Sequence, residues 1–287
     1  MTTTYAIFGY PVAHSRSPAM HNAAFAELGL DARYIPIAVA PPDLPAAISG
    51  MRARGADSIA GANVTLPHKT AVMPLLDRVT DDARAIGAVN TLWFEGEALC
   101  GDNTDAPGLA RALQEANVPL AGAHVLILGA GGAARASIVG LARAGAASIA
   151  ISARRESEAE QLARELGTVT GRCQLSALGM QPDALAAAFA HTGLLVQATS
   201  ATLDDGPHSE PFTRALPMAS LPAHAVVTDL VYKPLHTRVM LAAEARGLRT
   251  VDGLGMLLHQ GALAFERWTS RVAPLQTMRA ALLSATK

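Results

Sequence analysis

The sequence predicts an α/β protein of two lobes: an amino-terminal substrate lobe on a mainly parallel sheet, then a carboxy-terminal Rossmann-like nucleotide lobe. Three observations predict it. Short β-rich runs alternate with alanine-rich stretches of helical period. One apolar run, HVLIL, passes through glycines straight into a helical pattern. The length, 287 residues, is generous for one core and suits two.

In order, YAIFG reads as a strand, PAMHNAAFAELGL as a helix, RYIPIAV as a strand, PDLPAAISGMRARG as a helix and SIAGANVT as a strand. A further strand is expected near AVNTLWF and a helix from Ala106 to Ala116. Proline and glycine then interrupt the periodicity between Asn117 and Ala123. The first lobe is therefore expected to span 1–117 and the nucleotide lobe 118–255. That second lobe opens with HVLIL, a glycine turn and the helix ARASIVGLARAG. It continues with the strand SIAIS, the helix ESEAEQLARELG, strands at LLVQAT and AVVTDLVY, and the helix LHTRVMLAAEARG. The tail reads as two helices broken at Pro274. Gln260 sits amid apolar neighbours there, so helices over about 256–287 are expected to pack back toward the first lobe.

Half the residues are hydrophobic and 16% are charged, enough apolar surface for a soluble globule. With 23 basic and 24 acidic residues and a net charge of −1, no footprint for nucleic acid appears. No stretch suits a membrane span, and MTTTYAIFGYP lacks the features of a secretory signal. Cys100 and Cys173 read as reduced thiols in a cytoplasmic protein. His14, His21, His68 and the other histidines form no ligand pair with a third ligand in view, so no metal is expected. Partners are expected to be small molecules, with the chain a monomer or homodimer.

Gly129, Gly131 and Gly132 stand between β-formers and a helix, with Ala130 and Ala133 completing the turn. Glycine lets the backbone approach a pyrophosphate, whose charge meets unpaired amides at the helix start. An ordinary tight turn is the competing reading. Where a NAD site usually carries an acidic residue at the end of the second strand, this chain has Arg154 and Arg155. Paired guanidinium groups suit a 2'-phosphate, which favours NADP, although a solvated strand end would look the same.

Three polar clusters fall at expected strand ends or helix starts, where a doubly wound sheet exposes its crevice: HSRSP from His14, NVTLPHK from Asn63, and GDNTD from Gly101. With Asn90 in GAVNTL, the glycine turn and GLGMLLHQ, they resemble the shikimate dehydrogenase family in order and spacing over nearly the whole chain.

The resemblance implies reduction of 3-dehydroshikimate to shikimate with NADPH, in the route to aromatic amino acids. It gives Lys69 and Asp105 the catalytic roles, Ser15 and Ser17 the substrate carboxylate, and Asn63, Thr65, Asn90, Asp105 and Gln260 the ring hydroxyls. It also implies a substrate contact for Tyr232 and cofactor contacts for Asp81, Thr199, Leu230 and Gly253. Hydride delivery to a ketone leaves an alkoxide, so an ammonium donor is suitable chemistry. If HKTAVMPLL is a helix, its dipole pushes the Lys69 pKa down while Asp105 pushes it up.

Plainer readings stand beside these. Ser17 alone, ahead of Pro18, reads first as a helix cap; Asp81 suits a cap equally, and Asp105 caps the helix at Ala106 in part. Tyr232 suits a core edge and Gly253 a turn or helix cap. The chain also departs from the family: Ala153 and Glu158 stand where NADP-dependent members often carry asparagine and a second arginine. His68 replaces a frequent aromatic residue and is expected as a partly exposed helix-start histidine. A NAD-preferring quinate or shikimate dehydrogenase, and a non-catalytic ligand-sensing relative, are the alternatives.

Overall fold

The computed structural model describes residues 2–53 and 58–285. Arg54 and Gly55, at the end of the second expected helix, and the last two residues of the tail lie outside them. The chain forms two compact units, Met1–Gly108 with Leu257–Lys287, and Leu109–Met256.

Unit 1 runs β1 (Thr3–Gly9), α1 (Ser17–Glu27), β2 (Ala32–Ala38), α2 (Leu44–Arg52), β3 (Ile59–Val64), β4 (Arg78–Val79), α3 (Asp81–Ile86), β5 (Thr91–Glu95), β6 (Ala98–Asp102) and the start of α4 (Asp105–Glu115). Its sheet has the order β2-β1-β3-β5-β6-β4. The β2-β1-β3 pairings are parallel, but β5 runs antiparallel to both β3 and β6. The expected strand at AVNTLWF is thus shorter, and it turns at Gly96 into a partner that the sequence reading did not include. Pro36, with no amide to donate, sits in β2 at the sheet edge, where a missing donor is tolerated. Phe8, Val64, Leu92 and Leu99 form the centre of the core.

Unit 2 holds β7 (His124–Leu128), α5 (Gly132–Arg143), β8 (Ser148–Ser152), α6 (Glu156–Leu166), β9 (Gln174–Leu178), α7 (Pro182–Ala190), β10 (Leu194–Gln197), α8 (Ser209–Ala215), β11 (Val226–Asp229), α9 (Arg238–Glu244) and β12 (Arg249–Val251). The order β12-β11-β10-β7-β8-β9 is parallel throughout, the 3-2-1-4-5-6 arrangement of a dinucleotide fold. Every residue of β10 and β11 is buried, as a sheet covered on both faces requires. α10 (Leu254–Thr269) and α11 (Leu275–Ser284) end the chain on either side of Pro274.

The units divide inside α4 and α10, not in the break at Asn117 to Ala123. That loop is bound into unit 2: Gly122 donates its amide to Gly145, Ala147 donates to Ala123, and Arg249 donates to the Asn117 carbonyl. The proline and glycine there shape the lead into β7. Among the described residues no helix is long and apolar enough to cross a membrane.

Candidate active site

In unit 1 the segment after β3 carries Lys69, but not in a helix. Pro74 has no amide hydrogen, and the chain proceeds as successive turns closing on the short 3-10 helix Met73–Leu75. The helix dipole anticipated at Lys69 is therefore absent. Its backbone carbonyl accepts from Val89, and its Nζ donates to Asp105 Oδ2 at 2.6 Å. Asp105 is almost fully enclosed and Lys69 keeps 17% of its side-chain surface exposed, so the amine is the member that faces outward. His68 is buried, not partly exposed, and its Nε2 donates to the Val39 carbonyl at 2.7 Å, anchoring the residue before the lysine.

Asp105 is not the cap of α4. Asn103 Oδ1 accepts from the amides of Asp105 and Ala106, at 3.0 and 3.2 Å, which leaves the Asp105 carboxylate for Lys69 and Asn90. Asn90 is the hub. Its Nδ2 donates to Asp105 Oδ1 and Thr104 Oγ1 at 2.9 Å and to Gln260 Oε1 at 3.2 Å; its Oδ1 accepts from the Thr104 amide and the Thr91 hydroxyl. Gln260 reaches this hub because α10 lies close on α4 at Gly108, where a Cβ would stand 2.8 Å from Gln260 Cβ. Two further contacts fix that end of α10: Trp268 Nε1 donates to the Leu92 carbonyl, and Arg267 pairs with Asp102 at 2.7 Å while lying over the Trp93 ring.

Asn63 lies in the wall of the cluster with both ends of its amide engaged. Oδ1 accepts from Tyr34 Oη at 2.8 Å, and Nδ2 donates to the Asn90 carbonyl and the Thr91 hydroxyl. Thr65 packs its methyl against Gly9, where a Cβ would be only 2.3 Å away. Ser17 is the first residue of α1 rather than its cap. Arg16 takes that position with no side-chain cap, and Ser15 Oγ accepts the Ser17 amide at 3.3 Å. Asp81 likewise yields the capping role to Thr80; its side chain is fully exposed beside Arg84.

In unit 2 the carboxyl end of β7 gives way to Gly129, whose φ of +123° excludes most side chains. A Cβ there would meet Thr199 Cγ2 at 3.1 Å and the Ala198 carbonyl at 3.2 Å, whereas a Cβ on Gly131 would meet nothing. α5 begins at Gly132 with Gly131 as cap and no side chain on its amides. Open space in front of Gly131, bare amides at Gly132 and Ala133, and the small Ala130 fit a pyrophosphate. Gly253 permits a second close approach, since a Cβ there would stand 2.7 Å from the Leu230 carbonyl. Tyr232 is half-buried in the loop after β11. Past β8, Ala153 is buried and Arg154 and Arg155 are exposed. Arg155 is paired with Glu158, which raises its pKa further, first through the hydrogen bond and then through the charge. Two guanidinium groups fit a 2'-phosphate, with one of them already holding a carboxylate.

Sequence reasoning did not single out Asn103, Thr104, Thr91 or Tyr34 as supports of this cluster. An asparagine three residues ahead of Ala106 was the available signal for the α4 cap. The Tyr34 contact joins strands 29 residues apart and left no local trace.

Family models match three stretches of the chain. They are described as the shikimate dehydrogenase substrate binding domain, over residues 7–92, shikimate / quinate 5-dehydrogenase, over 110–204, and the shikimate 5'-dehydrogenase C-terminal domain, over 253–283. The shikimate dehydrogenase (NADP(+)) of Symbiobacterium thermophilum is 45% identical over 282 residues, 97% of this chain and 93% of that protein. The crystal structure of shikimate 5-dehydrogenase from Thermus thermophilus, in complex with NADP(H) and shikimate, is 37% identical with a TM-score of 0.83, covering 99% of this chain and 100% of that one. Quinate dehydrogenase from Corynebacterium glutamicum, in complex with NAD, is 29% identical with a TM-score of 0.86 and 99% coverage of both chains.

Proposed function

The chain belongs to the shikimate dehydrogenase family, and on that premise we propose that it reduces the ring ketone of 3-dehydroshikimate to the alcohol of shikimate, reversibly, with NADPH. The observation that carries the reading is the Lys69 ammonium held 2.6 Å from an enclosed Asp105 inside a cluster of amides and hydroxyls. A polyol acid offers donors and acceptors together, and such a cluster matches both.

Bound NADPH supplies the hydride. As charge develops on the ketone oxygen, Lys69 Nζ donates a proton to it; in the reverse direction the neutral amine accepts one from the alcohol. Asp105 fixes the amine through Oδ2 and is itself fixed through Oδ1 by Asn90. Ser15 and Ser17 take the carboxylate. Thr65, Asn90 and Gln260 meet the ring hydroxyls, Tyr232 adds a substrate contact, and Asn63, whose amide is engaged elsewhere, acts by positioning. The amides of residues 130–133 would hold the pyrophosphate, with Gly129 making the turn and its own amide on the Ser152 carbonyl; Arg154 and Arg155 would hold the 2'-phosphate, and Thr199, Leu230 and Gly253 the nicotinamide end. Asp81 is a further cofactor contact on this reading. Two free, buried cysteines accord with a reducing cytoplasmic setting.

The Arg155–Glu158 pair favours one second reading, appreciable use of NAD, because a 2'-phosphate must compete with a carboxylate for Arg155. The deciding measurement is absorbance of the reduced nicotinamide with shikimate or quinate and each cofactor in turn. The highest kcat/KM is expected for shikimate with NADP. Dominant quinate oxidation with NAD would overturn the assignment.

A further inference from the structure

Beneath the glycine turn of unit 2 lies a set of polar side chains that the reaction itself does not use. Ser152, Leu128, Gln197 and Asp229 stand in register at the carboxyl ends of β8, β7, β10 and β11. Gln197, Asp229, Thr202 and Thr237 are all completely buried. Asp229 Oδ1 accepts from the Val231 amide at 2.9 Å and from Gln197 Nε2 at 3.2 Å; Oδ2 accepts from the hydroxyls of Thr202 and Thr237 at 2.9 and 2.7 Å. Burial pushes the Asp229 carboxyl up to about 6, against the pull of these four hydrogen bonds. Withdrawing a carboxylate from water opposes folding, and an apolar residue would fill the same volume without that cost, so packing alone does not account for the set.

What the set holds is backbone. Gln197 clamps Thr199 from both sides: Oε1 accepts from its amide at 2.6 Å and Nε2 donates to its carbonyl at 3.1 Å. Ala198 and Thr199 are the atoms against which Gly129 turns. On the other flank, the carbonyls of Leu230 and Asp229 lie 2.7 and 3.0 Å from where a Cβ on Gly253 would stand.

We propose that Gln197 and Asp229 are positioning residues for the dinucleotide, holding from beneath the Ala198–Thr199 and Leu230 backbone on which it rests. The inference depends on the cofactor assignment made above. Neither side chain touches the ligand. Gln197 shapes the surface facing Gly129, and Asp229 acts through Gln197 and the Val231 amide.

The test titrates NADPH by its fluorescence against the full-length protein, with shikimate binding measured in parallel by calorimetry. Gln197→Ala releases Thr199 and is expected to raise the NADPH dissociation constant roughly tenfold, the usual scale for stranded buried partners, with the shikimate constant unchanged. Asp229→Ala takes away one of the three acceptors that hold Gln197 Nε2 and strands the Val231 amide beside Leu230, and it is expected to do the same. Asp229→Asn is expected to restore binding to within about threefold, because its Oδ1 still accepts from Val231 and Gln197 while its Nδ2 donates to hydroxyls able to reverse roles. If Asp229→Ala does not fold, Gln197→Ala and Asp229→Asn carry the comparison. NADPH binding unaltered in Gln197→Ala, or NADPH and shikimate binding weakened alike, would overturn the proposal. Wild-type protein that bound shikimate and no NADPH would instead remove the cofactor assignment.

Discussion

Unit 1 presents its chemistry through side chains: Lys69, Asp105, Asn90 and Gln260 converge from four segments and bond to one another. Unit 2 presents backbone, the amides of residues 130–133, and keeps its polar side chains underneath. The buried ionisable groups differ in the same way. Asp229 in unit 2 has four hydrogen-bond donors. His21 in unit 1 lies stacked 4.4 Å from Tyr34 among Phe25, Phe265 and Trp268, with neither ring nitrogen bonded to any described residue. One unit turns a single amine outward from a buried set of specific groups and encloses an unserved base; the other offers generic amides and encloses a fully served acid. Substitutions in unit 1 should therefore act on chemistry, and those in unit 2 on affinity and geometry.

The largest expected effect sharpens that contrast. Lys69→Ala removes the proposed proton donor and should lower kcat by about 10²- to 10⁴-fold with modest change in shikimate binding. Steady-state kinetics beside direct titration checks this, and unchanged turnover would take Lys69 out of the mechanism.

Acid should then separate the units. Burial lowers the His21 pKa to about 3, so below about pH 6.5 the unfolded chain binds a proton that the folded unit refuses. Stability falls as pH drops, by about 1.4 kcal/mol per unit down to roughly pH 3. Asp229 has the opposite sign: its folded carboxyl takes a proton near pH 6 and the unfolded one only near 3.8, so unit 2 gains stability as pH falls through that window. Hydrogen exchange at pH 7 and pH 5 should show unit 1 losing protection relative to unit 2. His21→Leu should flatten the unit 1 response. A response unchanged by that substitution would locate the acid sensitivity elsewhere.

The smallest effect concerns the rim of unit 2. Glu158→Gln frees Arg155, and because exposed pairs are weak, NADP affinity should rise by no more than about fivefold while NAD affinity holds or drops. Dissociation constants for the two cofactors measure it, and equal gains for both would show that Arg155 does not discriminate between them.

Motifs confined to a strand end and its next turn were legible without coordinates. GAGGA after HVLIL, NVTLPHK after SIAGA and the NTD segment each carry local punctuation, and the structure brings the last two together at Lys69 and Asp105. Features set by distance along the chain were not legible. β4 and β12 are two and three residues long, too short for an alternation to register. The helix expected at HKTAVMPLL had the right period, but Pro74 blocks it, and burial of His68 is decided by a carbonyl 29 residues away. The Gln197 and Asp229 alignment depends on register between strands more than 30 residues apart, which no window along the sequence can display.

The Asn103 cap separates two duties that a single acidic residue often combines. Since the asparagine secures the helix start, the neighbouring carboxylate has no part in capping and is given over entirely to Lys69 and Asn90. A change at Asp105 is therefore felt by the amine and the asparagine hub, while the start of α4, held by Asn103, stays where it is. Such insulation lets one scaffold accept new reactions without first being rebuilt.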